Sequence, residues 1–367
     1  MSDRDLSEHF YRGPAGVRCY DHEKAWPGYT LFSPAFGDQA LLIDMNGLAV
    51  KNWPVVHCQL PELLPNGHLL ADNYLGGLME LTWSGELVWQ WEGMYHHDFA
   101  RLPNGNTLFL LATDGPDERG ISILDELRSD SIVEITPQNE VAWQWHFLDH
   151  VEELRDLGRV PLPVTVRDWL HTNTLEVLPP NVSGERDERF RAGNLLFSCR
   201  SQDVIGVVDR EREQIVWAWG VGYLDGQHQP TMLENGHILL FDNGTLRGYS
   251  RVVELDPLSE KVVWAYEDPE TFFSPYRAGV QKLPNGNVLV CESDSGRLFE
   301  LTEGKEIVWE YRTPLLGEQG RHIYRATRYG PDLIHPLLEQ DEVMVILEGE
   351  QVRLTKREAV ERYWLSW

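Results

Sequence analysis

Four imidazoles stand at repeated distances from one turn motif. His97 and His228 lie five residues before the leucines of "LPNGN" (102–106) and "LENGH" (233–237). His57 and His171 lie seven before the leucines of "LPNGH" (64–68) and "LPPN" (178–181), and Asn173 falls at the minus-five place, two after His171. Near neutral pH a histidine can act as nucleophile, as acid and base, or as metal ligand. Arg200, in "SCRSQD", adds a permanently charged planar fork of donors suited to anionic oxygens. Such residues do chemistry together only if a scaffold gathers distant segments at one place.

The scaffold is read from two recurring signals. The turn "LPNGH" (64–68) returns as "LPNGN" (102–106), "LENGH" (233–237) and "LPNGN" (283–287), with a looser form in residues 178–194. Each is followed by an apolar run, so each reads as strand, tight Asn-Gly turn, strand. The second signal is a closing Trp-rich strand: "LVWQW" (87–91), "VAWQW" (141–145), "IVWAW" (215–219), "VVWAY" (262–266) and "IVWEY" (307–311). A hairpin precedes each one, which makes four strands per unit and units of propeller-blade length. A sixth closing element, "ALLIDMNGLAVKNW" (40–53), lacks its own turn segment, and its missing inner strands are expected from around 322–334.

The expectation is therefore an all-β chain: a six-bladed β-propeller closed by strands from both termini, with helical insertions and a short C-terminal extension. Residues 1–27 read as an N-terminal extension, 28–335 as the propeller and 336–367 as a hairpin and helix. Insertions at 113–130 and 146–169 interrupt the rhythm, the second with a helix over "HVEELRDLG". Inner strands that start at one mouth would bring the early positions together, and minus five and minus seven share strand parity, so the imidazoles are expected on one face.

Composition narrows the functions. Of 367 residues, 42% are hydrophobic and 25% charged, which fits a globular chain, and the apolar runs are strand-sized rather than membrane-spanning. The net charge of −26, from 58 acidic against 32 basic residues without a basic cluster, argues against nucleic acid as a partner. The start carries no secretory pattern, and Cys19, Cys58, Cys199 and Cys291 form no CxxC pair, so a cytoplasmic protein without membrane partner is expected. Oligomeric state is left open by the sequence.

The stretches "YHHDFARLPNGN", "DWLHTNTLEVLP", "LLFSCRSQDVIGVVD" and "HQPTMLENGHILLFDNG" resemble the bacterial arylsulfate sulfotransferases, six-bladed propellers, over roughly residues 28–335. The resemblance implies His97, His171, Asn173, Arg200 and His228 as active-site residues, with His228 matching the histidine that carries the sulfuryl group. It implies a small aryl sulfate, or another small anionic or aromatic molecule, as substrate, transferred to a phenol by a ping-pong route without a cofactor. In that scheme His171 and Asn173 donate hydrogen bonds to sulfuryl oxygens, and His97 does the same or shuttles the phenolic proton. Asn243 and Asp242 in "FDNG" are candidates to orient His228, although "DNG" is also a good turn. His57, Tyr95, Asn243, Tyr276 and Tyr324 are candidate substrate-binding residues, with His96 and His322 more peripheral. Two other readings stand beside this one: the same pocket running a hydrolase, lyase or isomerase reaction, including a metal-assisted one, and a non-enzymatic propeller scaffold. No HxH or HExxH spacing supports a metal, although ligands from separate blades would not show it.

Overall fold

The computed structural model describes residues 15–73, 76–113, 128–161, 168–315, 320–347 and 350–358. The chain is built of β1 (Gly16–Tyr20), β2 (Tyr29–Pro34), β3 (Ala40–Ile43), β4 (Ala49–Trp53), β5 (Glu62–Leu63), β6 (Leu69–Asn73), β7 (Gly77–Leu81) and β8 (Leu87–Trp91). These are followed by β9 (Tyr95–Arg101), β10 (Thr107–Thr113), β11 (Ser129–Ile135), β12 (Val141–His146), helix α1 (Val151–Gly158), β13 (Thr172–Val177), β14 (Leu195–Cys199), β15 (Val204–Asp209) and β16 (Gln214–Trp219). The remainder comprises β17 (His228–Met232), β18 (Ile238–Asp242), β19 (Arg251–Asp256), β20 (Lys261–Glu267), β21 (Gly279–Lys282), β22 (Val288–Glu292), β23 (Arg297–Leu301), β24 (Ile307–Arg312), β25 (Ile323–Tyr329), α2 (Pro331–Leu338), β26 (Glu342–Leu347) and β27 (Glu350–Thr355). Six antiparallel sheets, five of four strands and one of five, follow one another along the sequence, the connectivity of a six-bladed β-propeller.

The chain divides into two compact units. The first comprises Met1–Tyr74, Leu78–Gln90 and Gln281–Trp367, and the second Leu75–Gly77 and Trp91–Val280. In the first unit lie the sheets β25-β2-β3-β4, β5-β6-β7-β8 and β21-β22-β23-β24. Only the innermost strand of the closing sheet comes from the far end, because β2, directly upstream of β3, already supplies the second. The sequence reading missed β1, which pairs with β24 as a fifth, outer strand and covers an edge that would otherwise be open. Helix α2 carries Ile334, Leu337 and Leu338 into the core around Trp53 and Trp83. The other core of this unit holds a salt bridge between Arg328 and Glu300, both fully buried, with Arg328 also stacked over Trp309.

In the second unit, β9–β12, β13–β16 and β17–β20 are three meanders with the LPNG-type turns between first and second strands and the Trp-rich segments as fourth strands. The repeated Trp has a physical reason. Trp145 fills the core with Phe147 and Phe197 while its indole N–H donates to Glu213 O at 3.0 Å, in the outer turn of the next sheet. Trp309 does the same to Met45 O at 2.8 Å in the first unit. Neighbouring inner strands are latched by side chains rather than by a ladder: Asp98 accepts from Leu175 N, Thr174 from Gln229 N, Glu176 from Met232 N and Gln229 from Val280 N.

The tight turns differ in detail from the expected Asn-Gly hairpin turn. Gly105 lies at φ 87° while Asn104 keeps an ordinary negative φ, and Gly105 N donates to Leu102 O as Leu102 N donates to Asn106 O. This is a type I turn over Pro-Asn followed by a left-handed glycine, with Asn104 Oδ1 accepting Asn106 N at 3.0 Å. The other three turns repeat it. The helix expected over "HVEELRDLG" is α1, Val151–Gly158. Most of the 113–130 insertion lies outside the described residues, as does the final helix expected after the β26–β27 hairpin beyond its first residues, 356–358, which are helical. No described helix is long and apolar enough to cross a membrane.

Candidate active site

Strand parity does not assemble the site. Opposite β10, residues 96–98 of β9 face a single residue between the pairs Tyr95↔Leu111 and Phe99↔Phe109, so the inner strand bulges where the histidines lie. β13 bulges at Asn173, and β17 bulges at Gln229 and Pro230. Two of the bulges carry a non-glycine residue in the left-handed region, His97 at φ 64° and Gln229 at φ 47°, and His171 at φ 48° stands just before β13. Such conformations cost about 1–3 kcal/mol each and persist where surrounding structure over-determines them. Here the bulges break the alternation and let consecutive residues such as His96 and His97 face the same cluster.

Three imidazoles pack edge to face. The centroids of His96 and His97 are 4.0 Å apart, those of His97 and His171 4.6 Å, and those of His96 and His171 5.6 Å. Around them lie Arg128 and Asp168, each at the end of one of the two insertions. Arg128 Nη1 donates to His96 Nε2 at 3.3 Å and stands 3.6 Å from Asp168 Oδ2, which accepts a hydrogen bond from His171 Nδ1. Burial, with the neighbouring His171 and Arg128, lowers His96 to about 3, and burial with the surrounding imidazoles and Arg128 holds His97 well below the ordinary histidine value. Burial alone would raise the Asp168 carboxyl, but the bond from His171 and the charges of His171 and Arg128 hold it lower than usual. Beside them Asp130 accepts from Thr172 N and Oγ1, and burial pushes its carboxyl up to about 6.

His228 opens β17 and is 1% exposed. Its Nδ1 lies 2.7 Å from Asn243 Oδ1 and 3.1 Å from Gly226 O. Asn243 is fixed in turn, since its Nδ2 donates to Ser274 O at 2.6 Å and to Arg277 O at 3.4 Å. The amide therefore presents its oxygen to His228, Nδ1 is the protonated nitrogen, and the lone pair of the neutral imidazole sits on Nε2. Gly226, at φ 72°, gives close approach, because a Cβ there would meet Thr245 Oγ1 at 3.0 Å. His228 also contributes to the depression of His97, so the two imidazoles sense one another.

Arg200 follows β14 in a single 3-10 turn, and its N–H donates to His171 O at 3.1 Å, which pins that corner. Its Nη2 donates to Pro275 O at 3.3 Å, the carbonyl that also accepts from Thr245, and its guanidinium lies 5.9 Å from the ring of Tyr276. Tyr276 is 46% exposed and flanks the arginine.

The five residues implied by the resemblance thus all lie in the second unit on neighbouring inner strands and turns. Asn173, fully buried, donates to Gln227 O at 2.9 Å and so ties β13 to the residue before His228. Asn243 takes the orienting place expected of it at His228: its oxygen and amide group are committed to the histidine and to two carbonyls, so the substrate-ligand and plain-turn readings give way. Asp242, the other candidate to orient His228, is instead paired with Arg247 and Arg251. Tyr95 is buried against Phe99. His57, left-handed in a turn before Cys58, and the buried Tyr324 and His322 belong to the first unit. Among the described residues no group of three or more His, Cys, Asp or Glu has the arrangement to hold a metal ion. Sequence reasoning missed Arg128 and Asp168, and the available signal was Asp168 three residues before His171 in "DWLHTN".

The family model for arylsulfotransferase (ASST) matches residues 61–314, which contain every one of the residues just described in the second unit. No protein of curated function matches the sequence. Among solved structures the fold resembles a Bacteroides caccae protein of unknown function, at 14% identity and a TM-score of 0.57 over 82% of this chain and 98% of that one. It also resembles the hydrazine synthase of Kuenenia stuttgartiensis, at 10% identity and a TM-score of 0.50 over 88% and 97% of the two chains. At these identities the likeness concerns the fold alone.

Proposed function

The chain belongs to the arylsulfotransferase (ASST) family, and on that premise we propose that it moves a sulfuryl group from an aryl sulfate to a phenol through a covalent intermediate on His228. The observation that carries this reading is the grip of Asn243 and Gly226 on His228 Nδ1. With that nitrogen protonated and donating, Nε2 holds the lone pair that attacks sulfur as the S–O bond to the aryl group breaks. The imidazole becomes cationic in the step, and the two oxygens at Nδ1–H bind the cation more strongly than the neutral form, so they favour the transition state over the ground state. A phenol then attacks the sulfur, the S–N bond breaks, and neutral His228 returns. Splitting the transfer removes the need to hold two aryl groups at one sulfur together.

Arg200 is the group for the sulfuryl oxygens. It keeps its charge throughout, and the Pro275 carbonyl orients it without neutralising it. In a chain of net charge −26, local cations at Arg200 and Arg128 supply what an anionic substrate needs. Sulfuryl transfer, like phosphoryl transfer, asks mostly for positioning and charge stabilisation, and that is what this arrangement offers. Initial rates over a grid of 4-nitrophenyl sulfate and phenol concentrations test the scheme. Parallel double-reciprocal lines are expected, and intersecting lines would contradict a two-step transfer.

A further inference from the structure

One of the two oxygens at His228 Nδ1 is the main-chain carbonyl of Gly226, 3.1 Å away, on a residue whose φ of 72° carries little conformational preference of its own. Bonds from neighbouring residues therefore have to fix the peptides on either side of it. We propose that Asp203 is a positioning residue of the reaction, whose carboxylate holds Gly226 N and thereby aims the Gly226 carbonyl at His228. The inference rests on the sulfuryl-transfer reading and deepens it, because it names what keeps this oxygen in place as the imidazole becomes cationic.

The peptide before Gly226 is fastened at both ends. Its N–H donates to Asp203 Oδ1 at 2.7 Å, and its carbonyl, that of Asp225, accepts from Gly244 N at 2.8 Å. Gly244 directly follows Asn243, so this one peptide ties the carbonyl at His228 to the turn that bears the amide oxygen there. The residue after Gly226 is anchored separately. Gln227 Nε2 donates to Ser198 Oγ, Cys199 O and Val204 O at 3.0, 3.2 and 3.0 Å, and Gln227 O accepts from Asn173. Of the two bonds on the first peptide, that to Asp203 is made by a side chain, so a substitution can remove it while the main chain of the Asn243 turn stays as it is.

Asp203 is itself set by the turn that carries Arg200. Residues Arg200–Gln202 form a single 3-10 turn that Asp203 closes in the left-handed region at φ 52°, with its own N–H donating to Arg200 O at 3.3 Å. Aspartate and asparagine tolerate that conformation better than most residues. A Cβ on Gly226 would lie 3.7 Å from Arg200 Nη2, so the strut from Asp203 to Gly226 runs beside the guanidinium. One residue thus joins the main chain behind the anion-binding arginine to the main chain behind the nucleophile, and its carboxylate acts on the imidazole through Gly226.

A double-mutant cycle tests this. Single-turnover release of 4-nitrophenolate from 4-nitrophenyl sulfate is measured for wild type, Asp203→Gly, Asn243→Ala and the double variant, glycine being chosen because it keeps the left-handed turn. Asp203→Gly displaces Gly226 O without removing it, so the rate should fall by about tenfold or less. With either single change one fixed oxygen still keeps the proton on Nδ1, whereas with both the proton can pass to Nε2, the atom that attacks. The double variant should therefore lose at least about threefold more than the product of the single losses. Nitrogen NMR of the same proteins, with His228 identified by comparison with His228→Ala, should show the Nδ1–H form in each single variant and mixed tautomers in the double. Asp203→Asn, which keeps an acceptor for Gly226 N and suits the same φ, should recover the rate to within about threefold of wild type. If Asp203→Gly does not fold, Asp203→Ser takes its place, its hydroxyl being one bond too short to reach Gly226 N. Additive losses with an unmixed tautomer in folded variants, or Asp203→Asn no faster than Asp203→Gly, would overturn this inference and leave the transferase reading standing. A folded wild type that releases no 4-nitrophenolate would overturn both.

Discussion

Asn243→Ala separates what the fold asks of this residue from what the reaction asks. The substitution removes one of the two oxygens at His228 Nδ1 and the amide donors to Ser274 O and Arg277 O, while Gly226 O remains at 3.1 Å to hold the tautomer. In the resting enzyme the lost bond joins neutral groups, worth about 0.5–1.5 kcal/mol, whereas on the sulfuryl-imidazolium it is charge-assisted, worth about 1.5–3 kcal/mol. Only the difference, about 1–1.5 kcal/mol, belongs to the transition state, and at 1.36 kcal/mol per decade it slows sulfuryl transfer by about 5- to 13-fold. The rest appears as lost stability of about 1–3 kcal/mol, from the neutral bond and the carbonyls deprived of this donor. Stopped-flow release of 4-nitrophenolate in a single turnover at saturating donor reads the first quantity, and urea unfolding reads the second. A folded variant with an unchanged single-turnover rate would refute the reasoning, since His228 would then develop no charge at Nδ1. A loss beyond a thousandfold would also refute it, because Asn243 would have to touch the reacting group itself.

Other expectations concern the scaffold. Glu300→Ala leaves Arg328 buried without its carboxylate and also removes the acceptor of Trp26 N and Asn287 Nδ2, so unfolding in urea should show a loss of about 3–5 kcal/mol. A change below 1 kcal/mol would show that the pair is dispensable. Burial, opposed by the bond from Met232 N and reinforced by the charge of Asp98, raises the Glu176 carboxyl to about 8 from its ordinary 4.5. The fold therefore keeps this proton where the unfolded chain has lost it, and stability falls as pH rises from about 4.5 to about 8. Glu176→Gln keeps the acceptor for Met232 N without a titrating group. Its melting temperature should match wild type near pH 5 and exceed it increasingly toward pH 9, whereas a gap independent of pH would contradict the assignment.

What the sequence showed and what it hid have separate physical causes. The closing strands and LPNG turns were legible because each repeat must solve the same packing problem with the same residue types, as Trp145 and Trp309 do with their indole bonds to the neighbouring outer turn. His97, His171 and His228 were legible as repeated positions, but the reason offered for their convergence was wrong. Strand parity holds only for an unbroken ladder, and a bulge is fixed by how two strands pair rather than by one strand's own residues, so the bulges at 96–98, 173 and 229–230 left no mark. Arg128 and Asp168 were hidden because they end insertions that follow no repeat. Asn243 was legible both as a support for His228 and as a turn residue, because "DNG" suits a turn, and what decides between them is the carbonyls of Ser274 and Arg277, some thirty residues onward, which turn its oxygen toward His228. The inner-strand contribution of β25 was visible as a missing segment, while the outer strand β1 was not, since nothing in a five-residue stretch near the start announces its partner.

The central claim is the covalent intermediate, and peptide mapping tests it most directly. Purified protein mixed briefly with 4-nitrophenyl sulfate and no acceptor, then digested at alkaline pH to preserve an N-sulfuryl bond, should carry a sulfuryl mass increment on the peptide containing His228. The increment should vanish on addition of a phenol and be absent from His228→Ala. Release of nitrophenol from a folded enzyme with no increment on that peptide, or an increment that survives the phenol, would contradict the account.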